Sequence, residues 1–384
     1  MLDLVQTGFS ALTWQDIVMI GIGILLIYLG IAKDYEPLLL VPIGFGVLLV
    51  NLPLGGLMDT IVNGQLSSSY SVGGQPVGIM ARIFEYGLTQ GEIIPCFIFL
   101  GLGALTDFGP LIANPKTLII GAAAQFGVYL AMFAAFGLGF TLKEAATIGI
   151  IGGADGPTTI FLAANLAPHI LGTVAVTAYT YMAMVPLIQP PVVRLLTSAK
   201  ERAIYMKPQL RAVARWEKIV FPCLGAAIII LLVPKCAPLI GIFMFGNLLQ
   251  ESGVTKRLAD TAGGPMMDVL VIVLGLSVGC FMSADNFLNF RSLEIFVIGC
   301  FAFAASTAGG VLIVKVMNLF SKEKMNPLIG AAGVSAVPMS ARVVQRMGQK
   351  ANPRNFLLMH AMGPNVAGVI GTAAAAGLFL TMIK

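Results

Sequence analysis

The chain has 384 residues, 57% of them hydrophobic and only 11% charged, with a net charge of +5. Soluble domains carry about 25% charged residues, so these side chains cannot cover a water-facing surface, and an ordinary soluble enzyme, a nucleic-acid binder and a disordered chain are all excluded. A mean hydropathy of +0.90 and 44 glycines indicate a polytopic membrane protein, because glycine is commoner in membrane helices than in soluble ones.

In chain order, the first charged residues are Asp3 and Asp16, so the start carries no basic region and no cleavable signal peptide is expected. Six apolar segments follow, over 15–32, 37–52, 93–105, 117–140, 145–165 and 171–193. Between the second and third, 53–92 is the longest stretch without an assigned segment; its Ser/Gly-rich part, Gly64–Gly78, reads as an exposed loop, and the ends of the stretch have room for a short helix. From Arg194 to Lys218 the chain turns basic, with Arg194, Lys200, Arg202, Lys207, Arg211, Arg215 and Lys218 against Glu201 and Glu217. Such enrichment marks a cytoplasmic loop. Six more apolar segments follow at 219–233, 237–250, 268–282, 293–319, 326–345 and 355–383, with a second basic stretch at Arg342, Arg346, Lys350 and Arg354. The organisation expected is a first membrane repeat over 1–193, a basic linker over 194–218 and a second repeat over 219–384.

The repeat rests on echoes that fall in the same order in both halves. Pro37-Leu38-Leu39 echoes Pro238-Leu239-Ile240, and Gly46-Val47-Leu48-Leu49 echoes Gly246-Asn247-Leu248-Leu249. Leu100-Gly101-Leu102 echoes Leu274-Gly275-Leu276, and Ile151-Gly152-Gly153-Ala154 echoes Ile329-Gly330-Ala331-Ala332. The loop after the fifth segment, 165–169, has no Lys or Arg, whereas its counterpart over 342–354 is basic. Equivalent loops of opposite bias face opposite sides, which makes the repeats inverted. An odd number of crossings per half is then needed, so one segment of six must re-enter. The fifth is chosen, because Gly and Pro break it in both halves, and broken backbone at membrane depth survives only where it lines a cavity. Paired interrupted segments point to a transporter's binding site. The fold class expected is therefore an all-α polytopic membrane protein of two inverted repeats with broken or re-entrant helices at a midplane site. With the linker inside, ten crossings and two re-entrant hairpins put both termini outside.

Asp155 is the central chemical residue, in Gly152-Gly153-Ala154-Asp155-Gly156-Pro157-Thr158-Thr159. A carboxylate at membrane depth costs several kcal/mol by most estimates and must be offset by a cation or a proton. A carboxylate, hydroxyls and freed carbonyls suit a hard cation such as Na⁺. Asp155 is equally a good N-cap for a helix beginning at Pro157, and one residue can do both. Asn365 follows the break at Gly363-Pro364 and supplies a neutral oxygen. Along the second broken segment lie Asn326, Gly330, Ser335 and Arg342. Ser335 offers a hydroxyl, and Arg342 is either a carboxylate partner or a plain positive-inside anchor. Tyr181 can donate a phenolic hydrogen bond or simply pack. His169 and His360 read as structural, and the five cysteines as reduced packing residues.

Four long strings carry a resemblance. They are Ile150-Ile151-Gly152-Gly153-Ala154-Asp155-Gly156-Pro157-Thr158, Pro186-Leu187-Ile188-Gln189-Pro190-Pro191, the run from Asn326-Pro327-Leu328 to Val337-Pro338, and His360-Ala361-Met362-Gly363-Pro364-Asn365-Val366-Ala367-Gly368. They closely resemble the membrane beta subunit of the biotin-dependent sodium-pumping decarboxylases, from about Glu36 to Gly377. The resemblance implies a carboxyltransferase alpha subunit, a biotin carrier subunit and a small membrane gamma or delta subunit as partners, a homo-oligomer, and the inner membrane of a bacterium. It implies that the beta subunit decarboxylates carboxybiotin and couples this to Na⁺ export with consumption of a proton. Family residues for Na⁺ binding and coupling match as Asp155, Tyr181, Asn326, Gly330, Ser335, Arg342 and Asn365. On this reading Asp155, Asn365 and Ser335 bind Na⁺, while Arg342, Asn326 and Ser335 meet carboxybiotin. Asp155, Tyr181 and Arg342 are the catalytic set, and Gly153, Gly330 and Gly363 shape the breaks. The stretch 53–92 is shorter than in some oxaloacetate-type members, which favours an acyl-CoA system. The rival reading is a Na⁺-coupled secondary transporter without decarboxylase activity, which composition, repeat and breaks fit equally well.

Overall fold

The computed structural model describes residues 7–67, 70–71, 73–90, 92–207 and 211–383, and it is mainly helical with little strand. The first half holds α1 (Trp14–Lys33), α2 (Pro37–Val50), α3 (Ile93–Leu105), α4 (Thr117–Ala124) running on into α5 (Phe126–Gly137), α6 (Leu142–Gly149), α7 (Gly156–Leu166), α8 (Leu171–Ala183) and α9 (Val185–Leu196). The second holds α10 (Arg215–Leu232), α11 (Ala237–Glu251), α12 (Pro265–Phe281), α13 (Phe290–Phe320), α14 (Leu328–Ala331), α15 (Met339–Ala351) and α16 (Leu358–Met382). Cys96, Cys223, Cys236, Cys280 and Cys300 are free thiols.

Gly64–Gly78, expected to be loop, instead takes part in a small antiparallel sheet of order β2-β1-β3, with β1 at Thr60–Val62, β2 at Gln65–Ser67 and β3 at Gln75–Pro76. The cause is Asn63-Gly64, whose φ angles of 52° and 78° are those of a two-residue hairpin turn. Residues 68, 69 and 72 of this stretch lie outside the described residues.

Among the described residues, by length and apolar composition alone, five helices can cross a membrane, or up to seven if each of two bent pairs is one span, against ten crossings expected. The difference lies in helices such as α2 and α11. At 14 and 15 residues they are about 21–23 Å long, short of a hydrocarbon core of about 30 Å. The segment 171–193, expected as one span, is bent by 68° between α8 and α9, where Pro186 sits in the first turn of α9.

Polar contacts nonetheless gather the loops at two opposite poles. At one, Lys218 reaches Asp107 (2.9 Å) and Glu251, Arg211 reaches the Ile112 carbonyl, and Arg215 donates to the Ser252 carbonyl. Lys315 at the same pole reaches Glu201 and the Leu196 carbonyl. Glu36 feels the charge of Arg342: burial raises its carboxyl above the usual range and the guanidinium pulls it back. At the other pole, Asn51 bonds the Met282 carbonyl and the Ala284 amide, Glu144 pairs with His169, and Arg291 lies over the Phe140 ring at 4.6 Å. The helices α2 and α11 run from one pole to the other, short as they are. Most of the basic clusters lie at the first pole, which positive-inside bias assigns to the cytoplasm.

A labelling experiment checks this assignment. In a cysteine-free background, Asn63→Cys should react with an impermeant thiol reagent from outside and Pro353→Cys should not. The reverse pattern would invert the arrangement. Ser69 and Gln209, natural probes of the same loops, lie outside the described residues.

The packing between halves is reciprocal. Gly279 of α12 abuts the Ile43 carbonyl of α2, and Gly46 of α2 abuts the Leu276 carbonyl of α12. In the same way Gly103 of α3 abuts the Phe243 carbonyl of α11, and Gly246 of α11 abuts the Leu100 carbonyl of α3. Small residues let membrane helices approach at backbone distance. This packing matches Gly103 with Gly279, two residues further on than the match of Leu100-Gly101-Leu102 with Leu274-Gly275-Leu276.

Candidate functional site

The two fifth segments form hairpins that start from opposite poles and meet at their tips. In the first, α6 passes into a 3-10 turn over Ile150–Gly153, and Ala154 takes a left-handed conformation (φ 55°) before α7 begins. An alanine held there is strained. Thr141 caps α6 in a reciprocal box with Glu144, and Glu144 with His169 at 2.8 Å ties the two ends of this hairpin together. In the second, α14 ends at Ala331, the chain runs irregularly through Ala332–Pro338, and α15 leads back. Gly and Pro supply both interruptions, as the sequence indicates.

Asp155 is the N-cap of α7, its Oδ1 accepting from the Thr158 amide at 3.2 Å. Its Oδ2 accepts from the Ser335 hydroxyl at 2.9 Å, and the Ser335 amide donates to the Gly153 carbonyl at 2.8 Å. The tip of one hairpin is thus bonded to the tip of the other, 180 residues apart in sequence. Asn365 of α16 holds the second tip from behind, its amide donating to the Ala332 and Val334 carbonyls at 3.1 and 2.7 Å. Gln189 of α9 donates to the Ala331 carbonyl and the Ser340 hydroxyl. Asp155 is 3% exposed, and Asn365 and Gln189 are fully buried.

Several buried oxygens here have no protein partner among the described residues: Tyr179 Oη, Asn365 Oδ1 and Gln189 Oε1. Buried polar atoms are seldom left unpaired. One carboxylate with neutral oxygens around it is the donor set of a weakly held hard cation. No group of three or more His, Cys, Asp or Glu that could hold a metal ion is found among the described residues, and a carboxylate among neutral oxygens suits a hard cation better than a transition metal.

The structure therefore brings together Asp155, Ser335, Asn365 and Gly153, the last packed on the Thr372 side chain. Gly330 seats the second hairpin backbone to backbone on Gly310 of α13, and Gly363 lets α16 lie against Thr117. Three other expected residues sit elsewhere. Asn326 caps the start of α14 and donates to the Arg202 and Ile204 carbonyls of the linker at 2.8 and 2.9 Å. Tyr181 gives its hydroxyl to the Phe296 carbonyl of α13. Arg342 is exposed on the first turn of α15, just beyond the second tip.

Residues the sequence reading missed are Thr158, Tyr179, Gln189 and Thr372. Tyr179 stands at the start of α7, its hydroxyl 2.7 Å from where a Cβ on Gly156 would be. Tyr179 and Tyr181 are two helical positions apart and face nearly opposite sides. Gln189 did carry a signal, as an amide flanked by prolines in an apolar segment.

Comparison with known proteins agrees with the resemblance. The family described as Na⁺-transporting oxaloacetate decarboxylase beta subunit matches residues 15–383. The methylmalonyl-CoA decarboxylase subunit beta of Veillonella parvula is 55% identical over 99% of this chain and 96% of its own length. The glutaconyl-CoA decarboxylase subunit beta of Acidaminococcus fermentans is 53% identical over 98% and 96%. The oxaloacetate decarboxylase beta chain of Klebsiella pneumoniae is 49% identical over 98% and 97%.

Proposed function

Since this chain belongs to the family of Na⁺-transporting oxaloacetate decarboxylase beta subunits, we propose that it decarboxylates carboxybiotin presented by a separate biotin carrier and couples that reaction to Na⁺ export across a bacterial inner membrane. Its partners are a carboxyltransferase alpha subunit, the carrier and a small gamma or delta membrane subunit, and the two halves are inverted repeats. The observation that carries the reading is the bond between hairpin tips at Asp155 and Ser335, beside buried oxygens that lack partners.

Asp155, Ser335 and Asn365 hold Na⁺ as transported substrate, with Thr158 and Tyr179 alongside. A cation here offsets the cost of the buried carboxylate. Na⁺ also competes with the Ser335 hydroxyl for Asp155, so its arrival and departure alter the bond that joins the hairpins. Two hairpins reaching in from opposite sides supply the two gates that alternating access requires.

In the chemical step the C–N bond of carboxybiotin breaks, CO₂ leaves, and the electron pair stays on the ureido nitrogen, which takes up one proton. Water at the hairpin junction supplies that proton. Tyr181 donates it only after giving up its bond to Phe296. Arg342, with no acidic partner within 4 Å among the described residues, holds the carboxylate at the cytoplasmic rim of the second hairpin. The acid that feeds carboxybiotin is selected by the carboxyltransferase, and the shorter 53–92 stretch favours an acyl-CoA.

The test is decarboxylation of free carboxybiotin by the purified complex, with and without Na⁺. Stimulation by Na⁺ is expected, and a Na⁺ transporter without lyase activity would release no CO₂. Arg342→Ala should raise the carboxybiotin concentration needed by about tenfold, as for loss of a charge-assisted bond, and leave the Na⁺ requirement nearly unchanged. An equal change in both would count against its role.

A further inference from the structure

A cavity of about 820 Å³ opens at the cytoplasmic pole between the linker, the start of α4, the end of α13 and the start of α16. Its size lies within the range of small-molecule sites. Lys116, Lys207, Lys324 and His360 line it against a single acid, Glu323. None of the three lysines has an acidic partner within 4 Å among the described residues. Beneath them the lining is apolar and soft, with Met206, Met317 and Met325.

The cavity also shares helices with the site. His360 and Asn365 share α16 five residues apart, about 7.5 Å of helix rise. Ile119 lines the cavity, and the carbonyl of its neighbour Ile120 packs on Gly333 of the second tip. Its linker wall is stitched to the second hairpin and to the chain leading into α16. Asn326 holds the Arg202 and Ile204 carbonyls, Asn355 holds the Ile204 carbonyl at 2.7 Å, and His360 bonds the Lys207 carbonyl at 2.8 Å. Arg342 does not line it.

We propose that this vestibule is the port at which the carboxybiotin headgroup is captured, with Lys116, Lys207 and Lys324 collecting its carboxylate and the methionines receiving its thioether ring. This rests on the function proposed above. Clefts of one charge sign raise the local concentration of an oppositely charged ligand, and polarisable methionines adapt to irregular apolar shapes. Capture beside the linker places the headgroup where the linker grips the second hairpin. Arg342, outside the cavity, then acts after capture.

The experiment uses the assembled complex in proteoliposomes, with free and with carrier-bound carboxybiotin. The triple variant Lys116→Gln/Lys207→Gln/Lys324→Gln should raise the half-saturating concentration of free carboxybiotin about tenfold, and should lose most of the salt dependence seen in wild type. Its maximal rate and Na⁺ requirement should stay unchanged. Glu323→Gln should move the carboxybiotin requirement the other way, which keeps the test decisive if the triple variant fails to assemble. An unchanged requirement for free carboxybiotin would overturn the proposal, as would an effect confined to the carrier-bound form, since the lysines would then read the carrier protein's surface. If wild type itself decarboxylated no carboxybiotin, the functional reading would fall first and the vestibule's substrate with it.

Discussion

Asp155→Asn should abolish Na⁺ transport and Na⁺-stimulated decarboxylation while leaving the protein folded. The amide is nearly the same size as the carboxylate, and asparagine is as good an N-cap as aspartate. Its oxygen can keep the bond from the Thr158 amide, so α7 stays capped. What is lost is the negative charge proposed to balance Na⁺. Leaving one member of a buried charge pair without its partner costs about 3–5 kcal/mol, which is a hundredfold or more in Na⁺ affinity at about 1.4 kcal/mol per decade. Uptake of ²²Na⁺ into proteoliposomes and CO₂ release, measured on the same preparation with its melting temperature, separate the outcomes. A mutant that pumps at a comparable rate would reduce Asp155 to a helix cap.

The second large effect is expected at Gly330→Val. A Cβ on Gly330 would overlap the carbonyl of Gly310 in α13, and the reverse holds for Gly310. Both partners are backbone, so neither rotates away. Overpacking typically costs about 1–3 kcal/mol, and a rigid backbone contact belongs at the upper end. The strain falls on the second hairpin, whose tip carries Ser335, so the bond to Asp155 should be displaced. Low yield of monodisperse protein on size exclusion, together with loss of pumping in what survives, is the expected result. A variant with wild-type melting temperature and pumping would show that the hairpin does not need this seat.

How much of this was legible beforehand differs by residue. The buried placing of Asp155 was expected from a carboxylate between glycine and proline in apolar sequence, and the role proposed for it rests on the cost that must then be offset. Asn365 followed from the same logic at Gly363-Pro364. For Asn326 the expected contact with carboxybiotin came from the resemblance alone, and only the folded chain shows its amide donating to the linker and its oxygen accepting from the Leu328 amide. The small sheet after Asn51 was announced by Asn63-Gly64, a signal overlooked amid Ser/Gly-rich sequence.

The sequence by itself determined that this is a membrane-embedded helical protein, where its helices break, and which end of the molecule is basic. These properties are local: they depend on side-chain transfer to lipid, on the backbone limits of Gly and Pro, and on counting Lys and Arg. Only the tertiary structure decided that the broken segments meet tip to tip, that Ser335 from the other half joins the nearby Thr158 amide in bonding Asp155, and that Tyr179 stands at the start of α7 while Tyr181 bonds Phe296. Those facts depend on which helices pack together. Within lipid that choice is made by close fits such as Gly103 on Phe243 and Gly330 on Gly310, between residues far apart in the chain, and an apolar pattern that looks alike on every face of a helix does not encode it.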